Sequence, residues 1–293
     1  MIPPTLLLQM SLQREELDHQ LSPSLWAKDS SGCLEAYQSA TALAKRSAKH
    51  RFSGNIPYGD RPETCIDLYR PLAKRQHAVP CFVFLHGGFW QEGSKDGAGF
   101  AAEAFTQHGC AFAAVGYSLT PTVSLTDIVK QIDEAVHFLH QNVDKWGIDS
   151  GRLVIGGHSA GAHLAACIIT DAMHSGVSDC LAGALLISGV YDLAPIARSY
   201  VNDLARMTQE EIDALSPVRL ARASHLPIMS LVGAEEPPAF QVHSDALAAA
   251  WASGRGDFSF QRVDGKDHFD ILGCLSEPNG QVFQQLQRMM NRT

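Results

Sequence analysis

With 293 residues, 45% hydrophobic and 18% charged, the chain has ordinary globular usage, which excludes a disordered or fibrous polymer and leaves room for one sizeable core. A formal net charge of −8 excludes a general binder of phosphate backbones, which needs a basic face, so nucleic acid is not an expected partner.

The first apolar stretch, residues 6–8, is too short to cross a bilayer and lacks a positive leader, so the expectation is a cytoplasmic protein without membrane contact. To about residue 50, helical patches such as 34–46 alternate with breaks at Pro23 and Gly32. This reads as an accessory helical segment, 1–50, on a single domain of residues 1–293. Turn signals at Pro57-Tyr58-Gly59-Asp60 lead into Cys65-Ile66-Asp67-Leu68-Tyr69, whose alternating faces predict an antiparallel edge strand.

Short apolar runs follow at 79–85, 111–115, 153–155, 181–187, 227–232 and 258–262. Helical-period segments lie between them at 99–108, 125–143, 160–173 and 239–252. Strand and helix alternate, which predicts an α/β fold: a mostly parallel central sheet with helices on both faces. Residues 192–225 break the alternation with polar, helix-prone text punctuated by Pro195 and Pro217, as a small cap insertion over the carboxyl edge of the sheet would.

Gly157-His158-Ser159-Ala160-Gly161 stands between a predicted strand and a predicted helix, the context that gives G-x-S-x-G its meaning. The turn is so sharp that small residues must flank Ser159, which then projects its hydroxyl from the sheet beside the positive end of a helix. His86-Gly87-Gly88-Phe89-Trp90 follows the strand at 79–85, where a loop donates half of an oxyanion hole. The backbone N–H groups of Gly88, Phe89 and Ala160 are the expected donors.

A base and an acid should follow in the chain order Ser, Asp/Glu, His. His268 lies after the last predicted strand and is the expected base; His225, ahead of a strand, and His243, within a helix, read as surface histidines. In Gly233-Ala234-Glu235-Glu236-Pro237 the loop position favours Glu236 over Glu235 as the acid that fixes the imidazole tautomer. Phe89 and Trp90 are candidate walls of the substrate pocket.

Seven cysteines without CxxC spacing read as free buried thiols. HExxH is absent, and His158 and His163 stand five apart, a poor spacing for one helical face, so no metal and no cofactor is expected.

Together these motifs resemble the esterase and lipase branch of the α/β-hydrolases that carries a His-Gly-Gly oxyanion loop. Within it the chain resembles the kynurenine formamidase (arylformamidase) family. The branch match also rests on residues 117–121 and 147–153, and the family resemblance on 86–96, 158–166, Ser188-Gly189-Val190-Tyr191-Asp192-Leu193 and Asp267-His268-Phe269, with 21–26 and 57–60 near the N-terminus. It implies a metal-independent serine hydrolase, with a small molecule, N-formylkynurenine, as partner and substrate, and kynurenine and formate as products of a step in tryptophan breakdown. A homodimer is compatible with that reading. The family's acid is usually Asp, whereas this chain offers Glu236. A broad carboxylesterase of aryl or short-acyl esters would use the same apparatus. A non-catalytic hydrolase-fold binding protein and a metal-dependent amidohydrolase are readings of other classes.

Overall fold

The computed structural model describes residues 4–72, 77–222, 226–252 and 257–291. Among these residues eight strands form one sheet: β1 (His50–Pro57), β2 (Cys65–Pro71), β3 (Val79–Leu85), β4 (Ala111–Val115), β5 (Ile148–His158), β6 (Gly183–Ile187), β7 (Ile228–Gly233) and β8 (Phe258–Val263). Their order is β1-β2-β4-β3-β5-β6-β7-β8. The β1/β2 and β2/β4 pairs are antiparallel and the remaining pairs parallel. The helices are α1 (Pro4–Ser11), α2 (Arg14–Gln20), α3 (Ser30–Arg46), α4 (Ala102–Gln107), α5 (Leu125–Trp146), α6 (Ala160–Ile169), α7 (Leu193–Ile196), α8 (Val201–Ala205), α9 (Gln209–Ala214), α10 (Pro238–Trp251) and α11 (Gln281–Met290).

Every residue of β3 and β4 is buried, as strands covered on both faces must be. The side-chain period of two divides β3 between two cores. Cys81, Val83 and Leu85 join Ile132, Leu139 and Leu164 of α5 and α6 on one face. Phe82 and Phe84 join Phe105 of α4 and Phe283 of α11 on the other, with the Phe82 and Phe105 rings stacked at 5.1 Å. The long helix α5 is closed at both ends by its own sequence. Ser124 and Asp127 form a capping box, and Gly147 takes the left-handed conformation (φ 68°) that ends the helix.

β2 corrects one expectation. It is an interior strand, flanked by β1 and β4, and β1 is the edge. The apolar pattern missed β1 because Ser53-Gly54-Asn55 interrupts it: the register shifts between Ser53 and Ile56, and Asn55 has φ 52°. β5 also runs further toward its N-terminus than its apolar centre indicated, starting at Ile148, and α6 stops at Ile169.

Between β6 and β7 the described part of the insertion folds as α7, α8 and α9. Leu193, Ile196, Val201 and Ile212 bury their side chains in the core of the sheet face, so this insertion is packed in place. The N-terminal helices lie against it: the Tyr200 amide donates to Asp18 Oδ1 (2.8 Å), its hydroxyl donates to the Leu21 carbonyl (3.1 Å), and Arg198 donates to the carbonyls of Met10 and Leu12. All seven cysteines are free, with Cys33 and Cys180 half-buried and the others buried. No helix among the described residues is long and apolar enough to cross a membrane.

Candidate active site

β3 has β4 on one side and β5 on the other, so the chain direction of travel across the sheet reverses there. A crevice opens at such a switch point beyond the carboxyl ends of the strands. The loop after β3 carries residues 86–94 and the turn after β5 carries Ser159, which brings two of the sequence motifs to one edge.

Ser159 links β5 to α6 with φ 55° and ψ −119°, a region that costs a non-glycine residue about 1–3 kcal/mol. Close packing holds it there. A Cβ at Gly157 would lie 2.3 Å from the Gly161 backbone, and one at Gly161 would lie 2.2 Å from the Leu85 carbonyl oxygen. A Cβ at Gly87 would meet both the Ser159 Cβ and His158 Nδ1 at 3.0 Å. Glycine at these three positions therefore lets the β3 loop, the serine turn and α6 close on one another. Ala160 is the first residue of α6, where a backbone N–H has no acceptor within the helix and the helix dipole adds positive potential.

In the β3 loop Gly88, Phe89 and Trp90 all have positive φ (110°, 46° and 62°). The Gly88 carbonyl accepts from Gln91 N (2.8 Å) and Glu92 N (2.9 Å), and the Trp90 carbonyl accepts from Thr120 N (2.8 Å). Tyr117 donates to the His86 carbonyl (2.6 Å) and stacks on the His86 ring at 4.1 Å. Gln91 Nε2 donates to the Val201 carbonyl at 2.6 Å, joining the loop to α8.

Glu236 follows β7 and His268 follows β8. Glu236 Oε2 lies 2.7 Å from His268 Nδ1, with side-chain exposures of 0% and 3%. The other carboxylate oxygen, Oε1, accepts from Ser188 Oγ (2.5 Å) and Gly233 N (2.7 Å), so both oxygens are fixed. Glu235 has a different place: its side chain is 45% exposed and pairs with Lys28 Nζ at 2.6 Å. The extra methylene of glutamate over aspartate spans the gap from the β7 loop to the imidazole. His268 also packs its ring on Phe240 at 4.2 Å, and its backbone carbonyl accepts from His158 Nε2 at 2.7 Å. His158 directly precedes Ser159, so this bond ties the loop after β8 to the serine turn.

Of the two candidate pocket walls, Phe89 is half-buried, with Phe240 at 6.3 Å and Tyr200 at 6.4 Å between ring centres. Trp90 is 0% exposed and edge-on to His163 at 4.9 Å. A side chain that no solvent reaches is a core plug, whereas Phe89 stays partly exposed beside Phe240 and Tyr200. His243, expected at the surface, is fully buried in α10; its Nδ1 accepts from the amides of Tyr191 (3.1 Å) and Asp192 (3.3 Å). His225 lies outside the described residues. Sequence reasoning gave Ser188, His158 and Tyr117 no role at the site. For Ser188 the available signal was its place one residue beyond the carboxyl end of β6, level with Ser159 beyond β5.

The BD-FAE family profile matches residues 66–249. A kynurenine formamidase of Danio rerio is 33% identical over 97% of this chain and 98% of its own length. One from Salmo salar is 33% identical over 96% and 98%. The chain belongs to the kynurenine formamidase family. A solved structure of a candidate thioesterase from Silicibacter sp. tm1040 superposes with a TM-score of 0.82 at 27% identity, covering 92% of this chain and 98% of that one. The fold is that of the α/β-hydrolases.

In this kynurenine formamidase family member the shell of the site is rich in neutral imidazoles. Burial pushes His86, His163 and His243 down to about 4, and takes His158 well below the ordinary histidine value. The unfolded chain binds protons at about 6.5 that the folded rings refuse, so it holds more protons between these values. Stability contributed by these rings is complete above that range and is lost as pH falls through it. Urea unfolding across pH 7.0 to 4.5 is expected to show falling stability, with a slope of up to about 1.4 kcal/mol per pH unit for each ring. A midpoint independent of pH would contradict the buried neutral assignment.

Proposed function

We propose that the chain hydrolyses the formamide of N-formylkynurenine to kynurenine and formate, a cytoplasmic step of tryptophan breakdown, with Ser159 as nucleophile, His268 as base and Glu236 as its partner. The full-length likeness to kynurenine formamidases carries the substrate assignment. The 2.7 Å contact of Glu236 and His268, tied through His158 to the serine turn, supports the roles.

Glu236 holds the Nδ1–H tautomer of His268, leaving Nε2 free to take the Ser159 proton as Oγ attacks the formyl carbon. The tetrahedral oxyanion rests on the N–H groups of Gly88, Phe89 and Ala160. His268 then gives its proton to the aniline nitrogen as the C–N bond breaks, and kynurenine leaves with a formyl ester on Ser159. Water, deprotonated by the same imidazole, attacks that ester; formate departs and the serine hydroxyl is restored. The acyl group is only a formyl, so the aromatic leaving group takes most of the room, along Phe89 and Tyr200.

Ester hydrolysis uses the same apparatus. The discriminating experiment is kcat/KM for N-formylkynurenine beside that for a p-nitrophenyl ester. Formamide turnover at least comparable to ester turnover is expected. An ester preference of several orders of magnitude would assign the chain to broad carboxylesterases.

A further inference from the structure

The residue between the first glycine and the serine of the Gly157–Gly161 motif is free to vary as far as the packing of Gly157 on Gly161 and of Gly161 on Leu85 is concerned, because backbone atoms alone make those contacts. Here it is His158, buried at 7% exposure. Its Nε2 is 2.7 Å from the carbonyl oxygen of His268, and a carbonyl only accepts, so Nε2 carries the hydrogen. The Nδ1 edge faces Gly87, where a Cβ would approach to 3.0 Å. One imidazole thus touches the serine turn through its own backbone, the oxyanion loop through Gly87 and the base loop through residue 268.

Other bonds hold the base loop at its flanks. Asp267 accepts from the amides of Phe269 (2.8 Å), Asp270 (3.1 Å) and Lys28 (3.1 Å), and Glu235 N donates to the Lys266 carbonyl (3.0 Å). The bond to the backbone of residue 268 comes from His158, while Glu236 holds its side chain. We infer that His158 is a positioning residue, which fixes the backbone of His268 relative to Ser159 and Gly87 by a hydrogen bond from Nε2. The inference rests on His268 being the base.

The ring has a second requirement. Its centre lies 4.6 Å from that of His268, which becomes an imidazolium while Ser159 is acylated. A second cation there would oppose that charge. Burial, with the His268 charge acting in the same direction, keeps His158 neutral. A neutral donor is therefore what the position needs, and Lys or Arg would supply the bond with the wrong charge.

The test compares His158→Leu and His158→Gln with wild type and His268→Ala, reading kcat and KM for N-formylkynurenine together with thermal unfolding. Leu removes the donor; Gln carries an amide N–H at similar reach. His158→Leu is expected to lower kcat about 10²-fold with KM within about threefold, the scale of a misplaced catalytic group, and Gln to recover most of the loss. Full kcat in His158→Leu, or equal losses in Leu and Gln, overturns the positioning role. His268→Ala with kcat near wild type overturns the base assignment and this inference with it, whereas a large loss there beside an unaffected His158→Leu overturns this inference alone. If His158→Leu does not fold, ¹⁵N shifts of the wild-type imidazoles decide: a neutral Nε2–H ring at pH 7 is expected for His158, and an Nδ1–H tautomer or an imidazolium overturns the proposal.

Discussion

Ser159→Ala is expected to lower kcat for N-formylkynurenine by about 10⁶-fold, the scale seen when the nucleophile of a serine triad is removed, and to leave the fold intact. The size follows from the chemistry: without Oγ no acyl-enzyme forms, and only the oxyanion donors and binding remain to act on a water. The fold should survive because alanine keeps the Cβ that packs against Gly87 and deletes one oxygen from a residue that is 2% exposed. The positive φ of 55° is borne by alanine as it is by serine, so no new strain enters. Stopped assays for kynurenine absorbance, with circular dichroism of the same sample, measure both. Residual activity within tenfold of wild type would remove Ser159 from the chemistry.

Glu236→Gln is expected to lower kcat by about 10⁴-fold, for a reason visible in the bonds to each carboxylate oxygen. Oε1 accepts from Ser188 and Gly233, both donors, so the glutamine oxygen must occupy that position. Its NH₂ then faces His268 Nδ1, where the carboxylate oxygen stood at 2.7 Å. The imidazole must present a lone pair to that NH₂ and carry its hydrogen on Nε2, the tautomer that cannot take a proton from Ser159. Glu236→Asp is the contrasting variant. It keeps the charge and loses reach, so it should retain more activity than Gln. A Gln variant more active than Asp would show that Glu236 does not set the tautomer.

The sequence carried the strand and helix alternation clearly wherever both faces of an element are covered. β3 and β4 have their read bounds because continuous apolar runs ended by turn residues leave no other structure that buries them. β1 escaped because an edge strand needs no such pattern and Asn55 breaks its register. The candidate site was legible for residues whose placement depends on local backbone: Ser159 at a turn that tolerates only small neighbours, and the glycines before Phe89. Contacts between loops far apart in sequence were not legible. Nothing local to Ser188 or His158 tells that one donates to Glu236 and the other to the carbonyl of His268, since both partners arrive from other strands. Trp90 shows the same limit from the other side, because an aromatic residue in a catalytic loop reads alike whether it lines the pocket or, as here, plugs the core against His163.

Reaction of the protein with a fluorophosphonate, followed by peptide mapping of the adduct in wild type and His268→Ala, tests directly whether one hydroxyl at this sheet edge is activated by that imidazole. A single adduct on Ser159 is expected, forming slower by orders of magnitude in the variant. Labelling at another residue, or equal rates in both proteins, would contradict it.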